Sequence, residues 1–242
     1  MEEQNVWGKV IKASTKLPFV QVNREEFLRK ELGTYYKDSQ QLEAIIDGRR
    51  LIDQRVLDRL VNGCINYHTT VVTSVSALAG VPGGWALAAA VPADIAQFYG
   101  HVLCLAQKVM YLYGMPSLTD GEGRINDEAQ SILTLFVGAM MGCQLAEAGI
   151  KELLEKLAQG IMTDIAVKRL GQTVLYRMAR EVALFIGKDL TEKQFAKGLG
   201  KVIPLIGAPI SGGITYFTFR PMAKRLKQVM SGQQQLRSSL MS

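Results

Sequence analysis

Charged residues vanish from the middle of this chain. From Leu60 to Ala93 there are 34 residues without an Asp, Glu, Lys or Arg, and after Asp94 another 13, Ile95 to Gln107, are uncharged. A run this long belongs to the heart of a helical domain or to a bilayer. Pro82-Gly83-Gly84 stops one helix and lets another begin, so the pattern predicts two apolar helices folded back on each other. Upstream, Asp38 and Ser39 cap a helix in which Leu42, Ile45, Ile46, Ile52, Val56 and Leu60 form an apolar stripe against Arg49, Arg50, Arg55 and Arg59. That helix runs on through Cys64 and His68 unless Gly48 or Gly63 breaks it. Downstream, a second helix spans Trp85 to about Tyr113, kinked or restarted at Pro92.

The segment beginning Gly114-Met115-Pro116 is polar and glycine-rich and reads as a loop. Asn126 followed by Asp127 and Glu128 reads as a cap with an acidic first turn. The helix it opens is uncharged over 18 residues, Ala129 to Ala146, and merges into an amphipathic piece ending near Gln159. A further helix from Thr173 to Ile186 is ended by Gly187, and Asp189-Leu190-Thr191-Glu192 has capping-box spacing for another that reaches about Val202. Val202 to Phe219 is the third uncharged run, again 18 residues. Residues 1–37 are mixed in charge with little sustained period, and hold one or two short helices, one around Arg24–Glu31.

Strand signals are confined to Val71-Val72 and Thr215–Phe219, both inside longer apolar runs. The expectation is an all-α fold: a single bundle-like domain over residues 38–230 with glycine-rich apolar hairpins, preceded by 1–37 and followed by a polar tail, 231–242. Gly83-Gly84 with Pro92 is echoed by Gly212-Gly213 with Pro221, seven residues intervening each time. The glycines Gly80, Gly83, Gly84, Gly207, Gly212 and Gly213 are read as tight turns that let helix backbones approach closely. They lack the Lys-Ser/Thr of a phosphate loop and the setting of a dinucleotide fingerprint.

Charge sharpens this picture. The net charge is +6, yet no Asp or Glu follows Glu192, and eight Lys and Arg do, leaving the first 192 residues at −2. A basic, acid-free end suits an anionic surface. Within it Met222, Leu226, Val229 and Met230 lie on one side of a helix, with Lys224, Arg225 and Lys227 on the other. Such a helix can lie in an anionic lipid interface, with Lys201 and Arg220 contributing charge. Nucleic acid is not expected, because no aromatic residues alternate with the basic ones. Mean hydropathy is +0.10, below that of a polytopic membrane protein. Three cysteines form no disulfide framework and the first residues carry no secretion signal, which points to a cytoplasmic, peripherally membrane-associated protein.

Candidate chemistry is sparse. Cys64 and His68 share a helix face, as do His101 and Cys104 on the next helix. Their cross-pairing gives two Cys and two His, a donor set for zinc; the competing reading is packing cysteines and hydrogen-bonded histidines, with no cofactor. Asp94, alone among uncharged neighbours, either caps a helix or lines a polar pocket. Asp120, Glu122, Asp127 and Glu128 match no calcium loop, and two histidines with no serine signature give no hydrolytic triad.

Val91-Pro92-Ala93-Asp94-Ile95, Tyr111-Leu112-Tyr113-Gly114 and Leu199-Gly200-Lys201-Val202-Ile203-Pro204 continuing to Gly212-Gly213 resemble the EcsC family, over roughly residues 40–230. The resemblance implies a bacterial helical protein, cytoplasmic or peripherally membrane-associated, from a family named for a gene beside a transporter. It supplies no catalytic residues. The leading expectation is therefore a non-enzymatic protein that meets anionic lipid and supports a membrane transporter. A soluble carrier of an apolar ligand and a Cys/His metalloprotein remain the alternatives.

Overall fold

The computed structural model describes residues 2–79, 93–120, 124–158, 174–199 and 216–232. Over these residues the fold is all-α: α1 (Glu2–Ser14), a 3₁₀ turn (Pro18–Val20), α2 (Arg24–Leu32), α3 (Ser39–Ile46), α4 (Gln54–Ala79), α5 (Ala93–Leu112), α6 (Asp127–Met140), α7 (Gln144–Ala158), α8 (Val174–Leu199) and α9 (216–232). The only extended pairing among them is an isolated bridge, Thr119 to Ile125. The glycine turns at Gly80, Gly83, Gly84, Gly207, Gly212 and Gly213, with Lys201, lie outside the described residues.

Two helices form the centre. From Val102 to Ala106 and from Val109 to Leu112, α5 is buried on every side, and α6 is buried continuously from Ile132 to Met140. A helix apolar all round has no face for water and must be enclosed. Helices α1, α2, α4 and α6 all pack on α5, while α7 and α8 pack on α6 and on each other. The segment 1–37 belongs to this core. Trp7, Val10, Ile11 and Ser14, spaced as one helix face, are buried, and Trp7 Nε1 donates to Thr134 Oγ1 on α6 at 2.9 Å. The link between α1 and α2 is pinned from below: buried Gln107 on α5 donates to Val20 O at 2.7 Å and accepts from Val22 N at 3.4 Å.

Local chemistry sets the helix ends. Asn126 accepts from Ala129 N at 2.9 Å and Asp38 from Gln40 N at 2.8 Å, as their positions predict. Two glycines break the helices, Gly48 as one of the two positions allowed for and Gly142 unforeseen. Gly48 has φ of 74° and ends the helix begun at Ser39, so α4 starts afresh after Asp53, whose carboxylate accepts from Arg55 N and Val56 N. Gly142, with φ of 87°, divides the uncharged run into α6 and α7. Conversely, Gly187 does not end a helix: α8 runs straight through it, and Asp189 lies inside α8 rather than at a cap.

Gly138 marks the closest approach in the core. A Cβ there would overlap the Val182 Cγ1 methyl of α8 and sit 2.9 Å from Ala146 Cβ of α7. Val182 is β-branched and wholly buried, so it has no room to turn away. Gly138→Ala is expected to cost about 1–3 kcal/mol through overpacking, read as a lower thermal midpoint; an unchanged midpoint contradicts this account.

Candidate functional site

The apolar hairpin brings both histidines together. His68 of α4 and His101 of α5 face each other with Nδ1 atoms 3.2 Å apart, and Lys108 Nζ stands 3.2 Å from His68 Nε2. An ammonium has only donors, so His68 Nε2 accepts from Lys108 and the His68 proton is on Nδ1. That proton is donated to His101 Nδ1, which places the His101 proton on Nε2. The imidazoles are 1% and 7% exposed. Burial, joined by the Lys108 charge and His101, depresses the His68 pKa to about 3; burial and Lys108 hold His101 at about 4. Both are neutral at pH 7.

Two solvent-facing aromatics cover the pair. Phe19, from the 3₁₀ turn, stacks on His101 with ring centroids 4.5 Å apart, and Tyr67 meets His68 edge-on at 5.1 Å. Lys108 Nζ lies over the Tyr67 ring at 5.4 Å and the Phe27 ring at 5.8 Å. A lysine held by two ring faces and a neutral imidazole is stabilised without a carboxylate.

The alternative zinc set does not assemble among the described residues. The helix register sets histidine against histidine rather than histidine against cysteine, and a cation occupies the free nitrogen of His68. Among the described residues no three His, Cys, Asp or Glu side chains form a group able to hold a metal ion. Burial pushes the Cys64 thiol up to about 12 and that of Cys104 to about 11, with Lys108 opposing both. They are protonated packing residues, not nucleophiles. Asp120 is bound by Arg124, whose N and Nε donate to its two oxygens at 2.8 and 3.1 Å. The backbone of Asp94 enters the first turn of α5; its side chain lies outside the described residues.

On α9 the structure reverses the sequence picture of the lipid face. Phe219, Met222, Ala223, Leu226 and Met230 are buried, so the apolar side closes the core. The outward side carries Phe217, Pro221, Lys224 and Gln228, one stripe at helical spacing. Phe217 is 77% exposed, the most exposed of the large apolar side chains described. Arg220 and Arg225 flank the stripe; Arg220 lies over the Tyr216 ring, and Arg225 donates to Met140 O at 3.1 Å. Neither partner is an acid, so no carboxylate offsets either guanidinium. The Lys227 ammonium is offset: its Nζ pairs with Asp58 at 2.8 Å and donates to Asn62 at 3.1 Å, fastening α9 to α4.

A pocket opens on the same side of the core as the end of α9. It encloses about 580 Å³, counting its open mouth, among Leu28, Ile45, Leu51, Ile52, Leu154 and Met230, with Arg50 among its walls. No family model, curated protein or solved structure matches this chain. No described helix is long and apolar enough to cross a membrane.

Phe217, Lys108, Gln107 and Arg50 are site residues that sequence reasoning passed over. Lys108 does carry a signal, being the first charge after the long apolar run. Gln107 and Arg50 read as ordinary polar positions.

Proposed function

We propose that the protein is a binding protein for an anionic membrane surface, docking through the outer stripe of α9 and performing no chemistry on the lipid. The observation that carries this reading is Phe217, held in solvent beside Arg220, Lys224 and Arg225 on a helix whose other side is locked in the core. An aromatic ring at headgroup depth with cations around it gains from apolar burial and from the negative surface potential. The acid-free composition after Glu192 favours the same orientation, as does the resemblance to the EcsC family, which also implies a neighbouring transporter. The docked face is preformed, so binding requires no unfolding of the helix.

Co-sedimentation with vesicles tests the proposal. Detergent-free protein is expected to bind phosphatidylglycerol-containing vesicles, to ignore pure phosphatidylcholine, and to be released at 0.5 M salt. Each cation near the surface is worth about 1 kcal/mol, so Lys224→Glu should weaken binding by roughly tenfold or more. Phe217→Ser should weaken it further without lowering the thermal midpoint. Binding that ignores lipid charge, or that survives both substitutions, overturns the proposal.

A further inference from the structure

The pocket beside α9 lies where six parts of the fold meet. Its walls come from α2, α3, the 47–53 loop, the end of α5, α7 and α9, and apart from Arg50 they are mainly apolar. The loop is tethered at both ends. Arg50 N donates to Ala44 O at 2.9 Å behind the left-handed Gly48, and Asp53 N donates to Tyr36 OH at 2.8 Å. Arg50 is therefore held at the rim by a fixed backbone.

Charge bookkeeping around this loop singles out that arginine. Asp47 is taken by Arg49 at 2.6 Å, and Glu43 by Arg29 through two bonds of 2.5 and 2.9 Å. Arg50 makes no ion pair among the described residues. Its guanidinium is steadied by a neutral group instead: the Gln41 amide, with its oxygen turned to the guanidinium, accepts at 2.9 and 3.1 Å. Two of five N–H donors are spent and the full positive charge remains. A cation positioned by an amide at the edge of an apolar pocket suits a ligand with the opposite arrangement.

We infer that the pocket lined by Leu28, Ile45, Leu51, Ile52, Leu154 and Met230 binds a small amphiphilic carboxylate, its apolar body among these side chains and its carboxylate on Arg50. Counted without its open mouth the space is only about 30 Å³, so the ligand's body lies along these side chains partly open to solvent, and a whole diacyl lipid is excluded. Met230 belongs to the helix proposed to meet the membrane, so an occupied pocket also packs against α9. The inference does not depend on membrane docking, and its test contains no lipid bilayer.

Isothermal titration with sodium octanoate, with octan-1-ol and octylamine as controls, decides the matter. Octanoate is expected to bind saturably at one site and to raise the thermal midpoint, with octanol and octylamine at least tenfold weaker. Arg50→Gln, at an exposed side chain, should weaken octanoate at least tenfold and leave octanol unchanged. Leu51→Trp, in the half-buried loop, should reduce both by filling the pocket. Absence of saturable octanoate binding at millimolar concentration overturns the inference. So does octanoate binding to Arg50→Gln as tightly as to the parent chain.

Discussion

Lowering the pH from 7 to 4.5 is expected to remove on the order of 4 kcal/mol of folding stability through the histidine pair alone. Both imidazoles titrate near 6.5 in the unfolded chain and at about 3 and about 4 in the fold. Below 6.5 the unfolded state takes up protons that the folded state refuses, so the equilibrium moves toward unfolding. The contribution is complete above pH 6.5, shrinks as pH falls, and is gone once the folded pKa values are passed. Protonating His68 would also set a second cation against Lys108 in a buried site and remove the nitrogen that accepts from it. Urea unfolding at both pH values, on the parent chain and on His68→Gln with His101→Gln, measures the effect. The double variant should be less stable at pH 7 yet lose clearly less on acidification. An equal fall in both chains would assign the acid sensitivity to carboxylates elsewhere.

Trp7→Ala carries the second large expectation, a loss of about 3–5 kcal/mol. The indole is 2% exposed, meets Tyr99 edge-on at 5.3 Å and donates to Thr134. Truncation leaves a cavity where α1, α5 and α6 converge. Trp7→Phe should cost less, since it keeps most of the apolar contact and surrenders the bond. Thr134 Oγ1 stays satisfied in either variant because it donates to Gln130 O at 2.7 Å. Differential scanning calorimetry reads both; a drop for Trp7→Ala no larger than for Trp7→Phe would mean that α1 is only loosely seated.

How much of this was written in the sequence varies with the range of the interaction. Asn126 and Asp38 announce their helices because a cap acts on neighbours two or three residues away. The all-α class is likewise visible in the long apolar runs. Gly48 is one of two candidate breaks beside Gly63, and Gly142 is not read as one at all; Gly63 and Gly187 remain helical, so which glycine turns left-handed depends on packing around it. The break at Gly48 then moves Arg50 from a presumed helix face to the pocket rim. The histidines are visible as members of facing helices, but one turn of register separates a metal-ligand set from a hydrogen-bonded pair. The face of α1, at Trp7, Val10, Ile11 and Ser14, is not read from the sequence, because so short a period does not stand out among charged neighbours. For α9 the sequence gives two faces and leaves undetermined which one the core claims.

The seat of α1 bears on how the chain reaches its fold. Its most extensive contacts are with α8, and its tryptophan bonds to a residue 127 positions away. α1 must therefore wait, with its apolar side uncovered, until the partners far downstream of it have left the ribosome. Local helices such as α2 and α3 form early, but closure of the core depends on joining α1 to α8 across a long stretch of chain. Synthesis and folding are thus separated in time, and a chain stalled before Ala93 would present Trp7, Val10 and Ile11 to chaperones rather than to its own interior.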